Sequence, residues 1–167
     1  QKTGNARKKD QVKRNLDPID RRILNELQAH GRMSIVDLAE RVHLTKTPCS
    51  ERVKRLERDG IISGYSAEID PVEVDMGHVM IVHVNLAKTS DSSLEDFNRA
   101  VRLIPEVQSC LMIAGPFDYM LKVRTRNITE FRELLGERIS QLPSVMQTHS
   151  FAVMESVKET SMIELRS

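Results

Sequence analysis

Between residues 17 and 60 the apolar positions recur at the three- and four-residue spacing of helices that bury one face. Ile19, Ile23, Leu24 and Leu27 form the first stripe; Asp17 is placed to cap it, with Pro18 at the first helical position and Asp20 in a capping-box pattern. Gly31 follows its end. Ser34 caps a second helix, with Asp37 three residues on and Ile35, Leu38 and Val42 turned inward. VHLT then makes a tight turn into a third helix that starts at Thr45 and stops at Gly60. Pro48 falls in its first turn, where the N–H groups have no partner within the helix and a missing one costs no bond. Three short helices, the last two joined by a tight turn, predict a helix-turn-helix. IISGYSAEI, alternating around Gly64, predicts a short β-hairpin wing after it.

From residue 79 the period changes to two. VMIVHVNLA reads as a strand, SLEDFNRAVRLI as a helix with Leu94, Phe97, Val101 and Ile104 inward, and VQSCLMIAG and YMLKVRT as strands joined by the turn GPFDY. ITEFRELLGERISQL reads as one helix stopped before Pro143, and VMQTHSFAVM as the last strand. The order β-α-β-β-α-β predicts a ferredoxin-like sheet with both helices on one side, so the chain as a whole is α+β. On the first strand Met80, Val82, Val84 and Leu86 line one face, yet Val79 and Ile81 make the other apolar as well. A sheet covered on one side should be polar on the other, so the second face is expected to be buried against a second copy of the chain.

Charge sharpens the division. The first 60 residues carry 15 Lys and Arg against 9 Asp and Glu, and the remainder 10 against 15. A basic module joined to an acidic one fits polyanion binding by the first. On the third helix, 100° steps put Cys49, Val53 and Leu56 on the buried stripe. Thr47, Glu51, Lys54 and Arg58 lie opposite, flanked by Ser50, Arg52 and Arg55. Short hydroxyls at the start of a helix with long cations behind them suit insertion into the DNA major groove, Glu51 and the hydroxyls toward base edges and the cations toward phosphates. The expected organisation is a basic arm over 1–15, a winged helix-turn-helix over 16–67, a linker over 68–78 containing Pro71 and Gly77, and a second domain over 79–167. With 167 residues, 40% of them hydrophobic, no apolar run approaches a membrane span. The two cysteines, Cys49 and Cys110, are too few for a disulfide scaffold and suggest a reducing cytoplasm.

The chain resembles the Lrp/AsnC family of bacterial and archaeal regulators. LDPIDRRILNELQAHGRMSIVDLAERV is similar to that family's opening helices, LTKTPCSERVKRLERDGIISGY to its recognition helix and wing, and GPFDYMLKV to its ligand-loop signature. FRELLGERISQLPSVMQTHSFAVMESVK is similar to its closing helix and strand, and the likeness leans to the leucine-responsive and proline-catabolism branches. The resemblance implies DNA contact by the recognition helix, here Lys46, Thr47, Pro48, Ser50, Glu51, Arg52, Lys54, Arg55 and Arg58. It implies dimers that assemble further, commonly to octamers, with an amino acid bound where dimers meet, leucine or proline being the leading effectors. Gly115, Phe117, Asp118 and Tyr119 would form the effector loop, with Asp118 facing the ligand's ammonium. Met112, Ser140, Phe151 and Ala152 match positions tied to leucine response. The family usually has Gly in the turn where this chain has His43.

Three classes of function compete on these residues: an amino-acid-responsive transcription factor, an architectural protein that wraps DNA without a ligand, and an enzyme like the sirohaem decarboxylases that share the fold. The enzyme would need basic and imidazole groups in the second domain's cavity, where His149 is the obvious candidate. No nucleophile motif, Gly-rich phosphate loop or metal-ligand spacing accompanies it. No cofactor other than an amino acid effector is expected.

Overall fold

The structure, a computed structural model, describes residues 16–166, so the basic arm expected over 1–15 lies outside the described residues. The described residues form two compact units: 16–67 together with 160–166, and 68–159. The segment read as a linker therefore belongs to the second unit, and the last residues, expected there, belong to the first.

In the first unit α1 spans Pro18–Ala29, α2 Ile35–Arg41 and α3 Lys46–Arg58. The start of α1 is closed reciprocally: Asp20 N–H donates to Asp17 Oδ1 at 2.8 Å and Asp17 N–H to Asp20 Oδ2 at 3.3 Å. Ser34 caps α2 by accepting the N–H of Asp37 at 3.1 Å, and its hydroxyl donates to Asp37 Oδ2 at 2.7 Å. Thr45 is the N-cap of α3, but its side chain makes no capping bond. Ile23, Leu24, Leu27, Leu38, Val42, Cys49, Val53 and Leu56 are buried as one core. Each fully buried Leu or Ile contributes about 1.5–3 kcal/mol.

Two turns set the aim of α3. His43 has φ 58 and Gly60 φ 68. The left-handed conformation is therefore real at the position where the resemblance points to Gly, and a β-carbon is carried there at some cost. The expected wing hairpin does not form: residues 61–69 contain no strand. The N–H groups of Ile61 and Ile62 both donate to Leu56 O, closing α3, and so are lost to any ladder. A two-stranded hairpin with no further strand to pair is in any case marginal.

In the second unit β1 spans His78–Leu86, α4 Asp91–Val101, β2 Val107–Met112, β3 Tyr119–Thr125, α5 Ile128–Leu134 and β4 Val145–Ala152. The sheet is antiparallel in the order β2-β3-β1-β4. Met80, Val82, Val84 and Leu86 of β1 join Leu121 and Val123 of β3 and pack against Phe97, Val101, Phe131, Leu134, Ile139 and Leu142. The helical layer thus covers one face only. The last helix is not the single α-helix that periodicity predicts. After Leu134 it widens into a π turn, Leu135–Ile139, closed by Ser140 N–H to Leu135 O at 2.8 Å. The buried positions give the reason. Leu134 and Ile139 are five residues apart, a step that turns away from the core in an α-helix and returns to it when one residue is absorbed.

Candidate functional site

The polar side of α3 divides into two sets of cations with different partners. Lys46, Thr47, Glu51, Lys54 and Arg58 are exposed, Arg58 Nε lying 3.6 Å from Oδ1 of its neighbour Asp59, while Pro48 and Ser50 are half-buried beside them. Arg52 and Arg55, expected among the phosphate-facing cations, are turned instead to the domain's own carboxylates. Arg52 Nη1 reaches Asp17 Oδ2 at 2.5 Å and Asp20 Oδ1 at 2.8 Å, and Arg55 Nη2 reaches Asp20 Oδ2 at 2.5 Å. Asp20 is only 1% exposed, and a carboxylate buried to that degree must be paired. The two arginines thus fasten α3 to the start of α1. Asp17, accepting the N–H of Asp20 and then the guanidinium of Arg52, has its pKa held below the ordinary 3.8. The Arg52 guanidinium is correspondingly raised, first by its hydrogen bond to Asp17 and then by that to Asp20. A helical projection shows which face a residue is on and not which neighbour claims it; the signal available was Asp20 itself, an acidic residue inside the apolar stripe of α1.

The GPFDY turn is built onto the end of β1. Asp118 N–H donates to Val84 O at 3.0 Å, and Asp118 Oδ2 accepts the N–H of Leu86 at 2.7 Å. Asp118 O receives Ile113 N–H at 2.8 Å, and Asn85 Nδ2 donates to Pro116 O at 3.2 Å. Phe117 folds onto the open face of the sheet and stacks on His83, with centroids 3.7 Å apart and planes 16° apart. Phe151 of β4 meets the same imidazole at 4.8 Å. Sequence reasoning did not single out His83 or Asn85; they alternate on the strand face opposite the core and hold the loop from beneath. Their signal was that alternation.

Tyr119, expected in the effector loop, is a core residue. Its ring is 1% exposed and lies 4.4 Å from Phe97, because position 119 begins the inward-facing set of β3. Its hydroxyl has no well-aligned hydrogen bond, and burial raises its pKa, with Asn98 partly offsetting that rise. Met112 and Phe151 are 56% and 50% exposed, and Gly115, Ser140 and Ala152 are exposed too. Ser140 closes the π turn of the helical layer, whereas Phe117 and Phe151 are on the open sheet face. One chain therefore does not gather the expected effector residues into one cavity. Two clefts, one lined by Val72, Asp75, Gly77, Arg126 and Asn127 and the other by residues of α4 and β2, contain none of them.

Among the described residues no group of three or more His, Cys, Asp or Glu is arranged to hold a metal ion, and no helix is long and apolar enough to cross a membrane. His149, the candidate for an enzyme, is exposed and pairs with His83 across β1 and β4. Burial raises the pKa of both thiols, that of Cys110 to about 11.

Residues 16–63 match the winged helix-turn-helix DNA-binding family, and residues 79–163 match the Lrp/AsnC ligand binding domain. A proline dehydrogenase transcriptional activator of Rhizobium radiobacter is 51% identical over 145 residues, 87% of this chain and 93% of that protein. The leucine-responsive regulatory protein of Haemophilus influenzae is 44% identical over 161 residues, 95% of this chain and 97% of that one. Among solved structures, a Neisseria meningitidis transcriptional regulator in complex with L-Met superposes with a TM-score of 0.83 at 34% identity, over 89% of this chain and 96% of its own. These relatives are regulators and not decarboxylases. The chain belongs to the Lrp/AsnC family of DNA-binding transcriptional regulators, with a winged helix-turn-helix first and an amino-acid ligand-binding domain after it.

Proposed function

We propose that this regulator responds to an apolar amino acid, of leucine or proline type, and controls genes of amino-acid metabolism from the cytoplasm. DNA is read by Thr47, Ser50 and Glu51 at base edges, with Lys46, Lys54 and Arg58 on phosphates and Pro48 shaping the first turn. The effector docks around Gly115, Phe117 and Asp118, with Met112, Phe151 and Ala152 as its apolar lining. Ser140 and Tyr119 contribute as position and support, Tyr119 by holding the base of the loop from the core.

The observation that carries this reading is the pairing of a rigidly mounted loop with an unfilled apolar surround. Phe117 and Asp118 are fixed by β1, yet Met112 and Phe151 stand half exposed. An incomplete site of this kind supports completion by another copy, and hence dimers that associate further, to octamers on the family's pattern. That the Neisseria regulator was solved with L-Met supports an amino acid with an apolar side chain as the class of ligand. If the site spans two dimers, ligand affinity and assembly are linked, by about 1–3 kcal/mol in ordinary cases.

The test is a thermal-shift screen of the full chain against the twenty amino acids, followed by sedimentation with and without the best stabiliser. A ligand specific for the folded state raises stability, by about 2.7 kcal/mol at a hundredfold excess over Kd. Leucine, proline or another apolar amino acid should shift both melting and assembly. No shift with any amino acid, at unchanged DNA affinity, would leave the ligand-independent architectural reading in its place.

A further inference from the structure

The segment 160–166 is bound to α1 almost entirely through its main chain. Asn25 Nδ2 donates to Leu165 O at 2.9 Å, and Leu165 N–H donates back to Asn25 Oδ1 at 3.3 Å. Gln28 repeats the pattern two residues earlier, with Nε2 to Ile163 O at 2.9 Å and Ile163 N–H to Oε1 at 2.7 Å. A carboxamide carries a donor and an acceptor side by side, so each of these side chains meets one residue's N–H and C=O as a neighbouring strand would. The spacings agree. Residues three apart on a helix are about 5–6 Å apart, and alternate residues of an extended chain about 6.6 Å. Leu165 adds one side chain, half-buried against the core of the first unit, while Ile163 stays exposed.

The same stretch of chain is anchored just upstream. Glu159 pairs with Lys122 and, at 3.6 Å, with Arg124, both on β3 of the second unit. From Thr160 the chain belongs to the first unit again. We propose that α1 carries a docking site for an extended peptide, that 160–166 is its occupant, and that this segment is a strap giving the DNA-reading unit a second covalent tether to the ligand-binding unit. It acts on the helix whose Asp17 and Asp20 hold Arg52 and Arg55, so it braces the mount of α3.

Four full-chain or shortened proteins test it: the wild type, N25A/Q28A, a chain ending at Glu159, and the shortened chain with both substitutions. Hydrogen exchange should show the Ile163 and Leu165 amides protected on the order of tenfold or more in the wild type and unprotected in N25A/Q28A. Urea melting should show each single change lowering the midpoint and the combination lowering it no further, the non-additivity of a shared contact. Alanine is a better helix former than asparagine or glutamine, so a loss cannot come from helix propensity. A synthetic peptide of residues 159–167 should raise the midpoint of the shortened chain and leave its N25A/Q28A form unchanged. Wild-type amides that exchange as in a free peptide, or substitutions as costly in the shortened chain as in the full one, would overturn the strap.

Discussion

The recognition helix and the proposed effector loop differ in how much of each is built from one stretch of chain. The exposed arc of α3 is a property of thirteen consecutive residues, and stepping round the helix found Thr47, Glu51, Lys54 and Arg58 where the structure has them. The effector set is scattered over β2, the turn after it, the π turn and β4, and only the turn is assembled within one chain. Local periodicity reports a face. It does not report who occupies the space in front of that face, which is why both Arg52 with Arg55 and Tyr119 changed roles once their neighbours were known.

The sharpest way to break the division of the cations is at their buried anchor. Asp20→Ala removes the one carboxylate that both arginines share and half of the capping box; the arginines left behind are partly exposed and can turn to water, so a loss of about 1.5–3 kcal/mol of stability is expected, the scale of hydrogen bonds to a charged group. Urea denaturation gives the number, and a loss under about 1 kcal/mol, the range of an exposed pair, would mean that the arginines are solvated after all.

The next test separates the two sets by salt. Lys54→Ala and Arg58→Ala should weaken binding to all DNA sequences alike and lower the slope of log affinity against log salt by about 1 each. Arg52→Ala should lower melting and leave that slope unchanged. If Arg52→Ala changes the slope as much as Lys54→Ala does, the ion pairs with Asp17 and Asp20 open when DNA arrives, and the distinction fails.

At the loop, the comparison turns on what Asp118 is for. Its Oδ2 accepts the N–H of Leu86, a bond that an amide oxygen can keep. Asp118→Asn should therefore hold the fold while losing the charge proposed to face a ligand's ammonium. The expected result is unchanged melting without ligand and an effector affinity weaker by on the order of tenfold or more, the scale of a hydrogen bond to a charged group. Calorimetric titration measures it. Equal affinity in the two proteins would make Asp118 a turn residue only.

The sequence was most informative where one element supplies all the parts. The caps at Asp17 and Ser34, the proline in the first turn of α3, the stop at Gly60 and the β-α-β-β-α-β succession of elements were legible from spacing and residue type. Within the wing segment only the hairpin strands were misread, because the donors of Ile61 and Ile62 go to Leu56, a competition that alternation cannot reveal. The π turn was misread because a helix was extrapolated across Leu134–Ile139 at a fixed period. The main-chain clasp on Asn25 and Gln28 was invisible, since carboxamides that bind backbone leave no mark on the segment they bind.

The smallest effect expected is on acid stability, and it probes the same cation division from the carboxylate side. Asp17 has its pKa lowered below 3.8 chiefly by the N–H of Asp20 and then by Arg52, so its folded form prefers to be charged. A depressed carboxylate contributes stability that is fully present above its unfolded pKa and is lost as pH falls through the folded one. Asp17→Asn keeps a good N-cap while removing the titration. The wild type should thus exceed the variant in urea midpoint at neutral pH, and the gap should close as pH falls below about 4. Asp17 is 41% exposed, so solvent screens part of the interaction and the gap should shrink in high salt as well. A gap of constant size from neutral pH to below the carboxylate range would mean that the substitution acts through cap geometry alone. The fastening of α3 would then rest on Asp20 without its exposed neighbour.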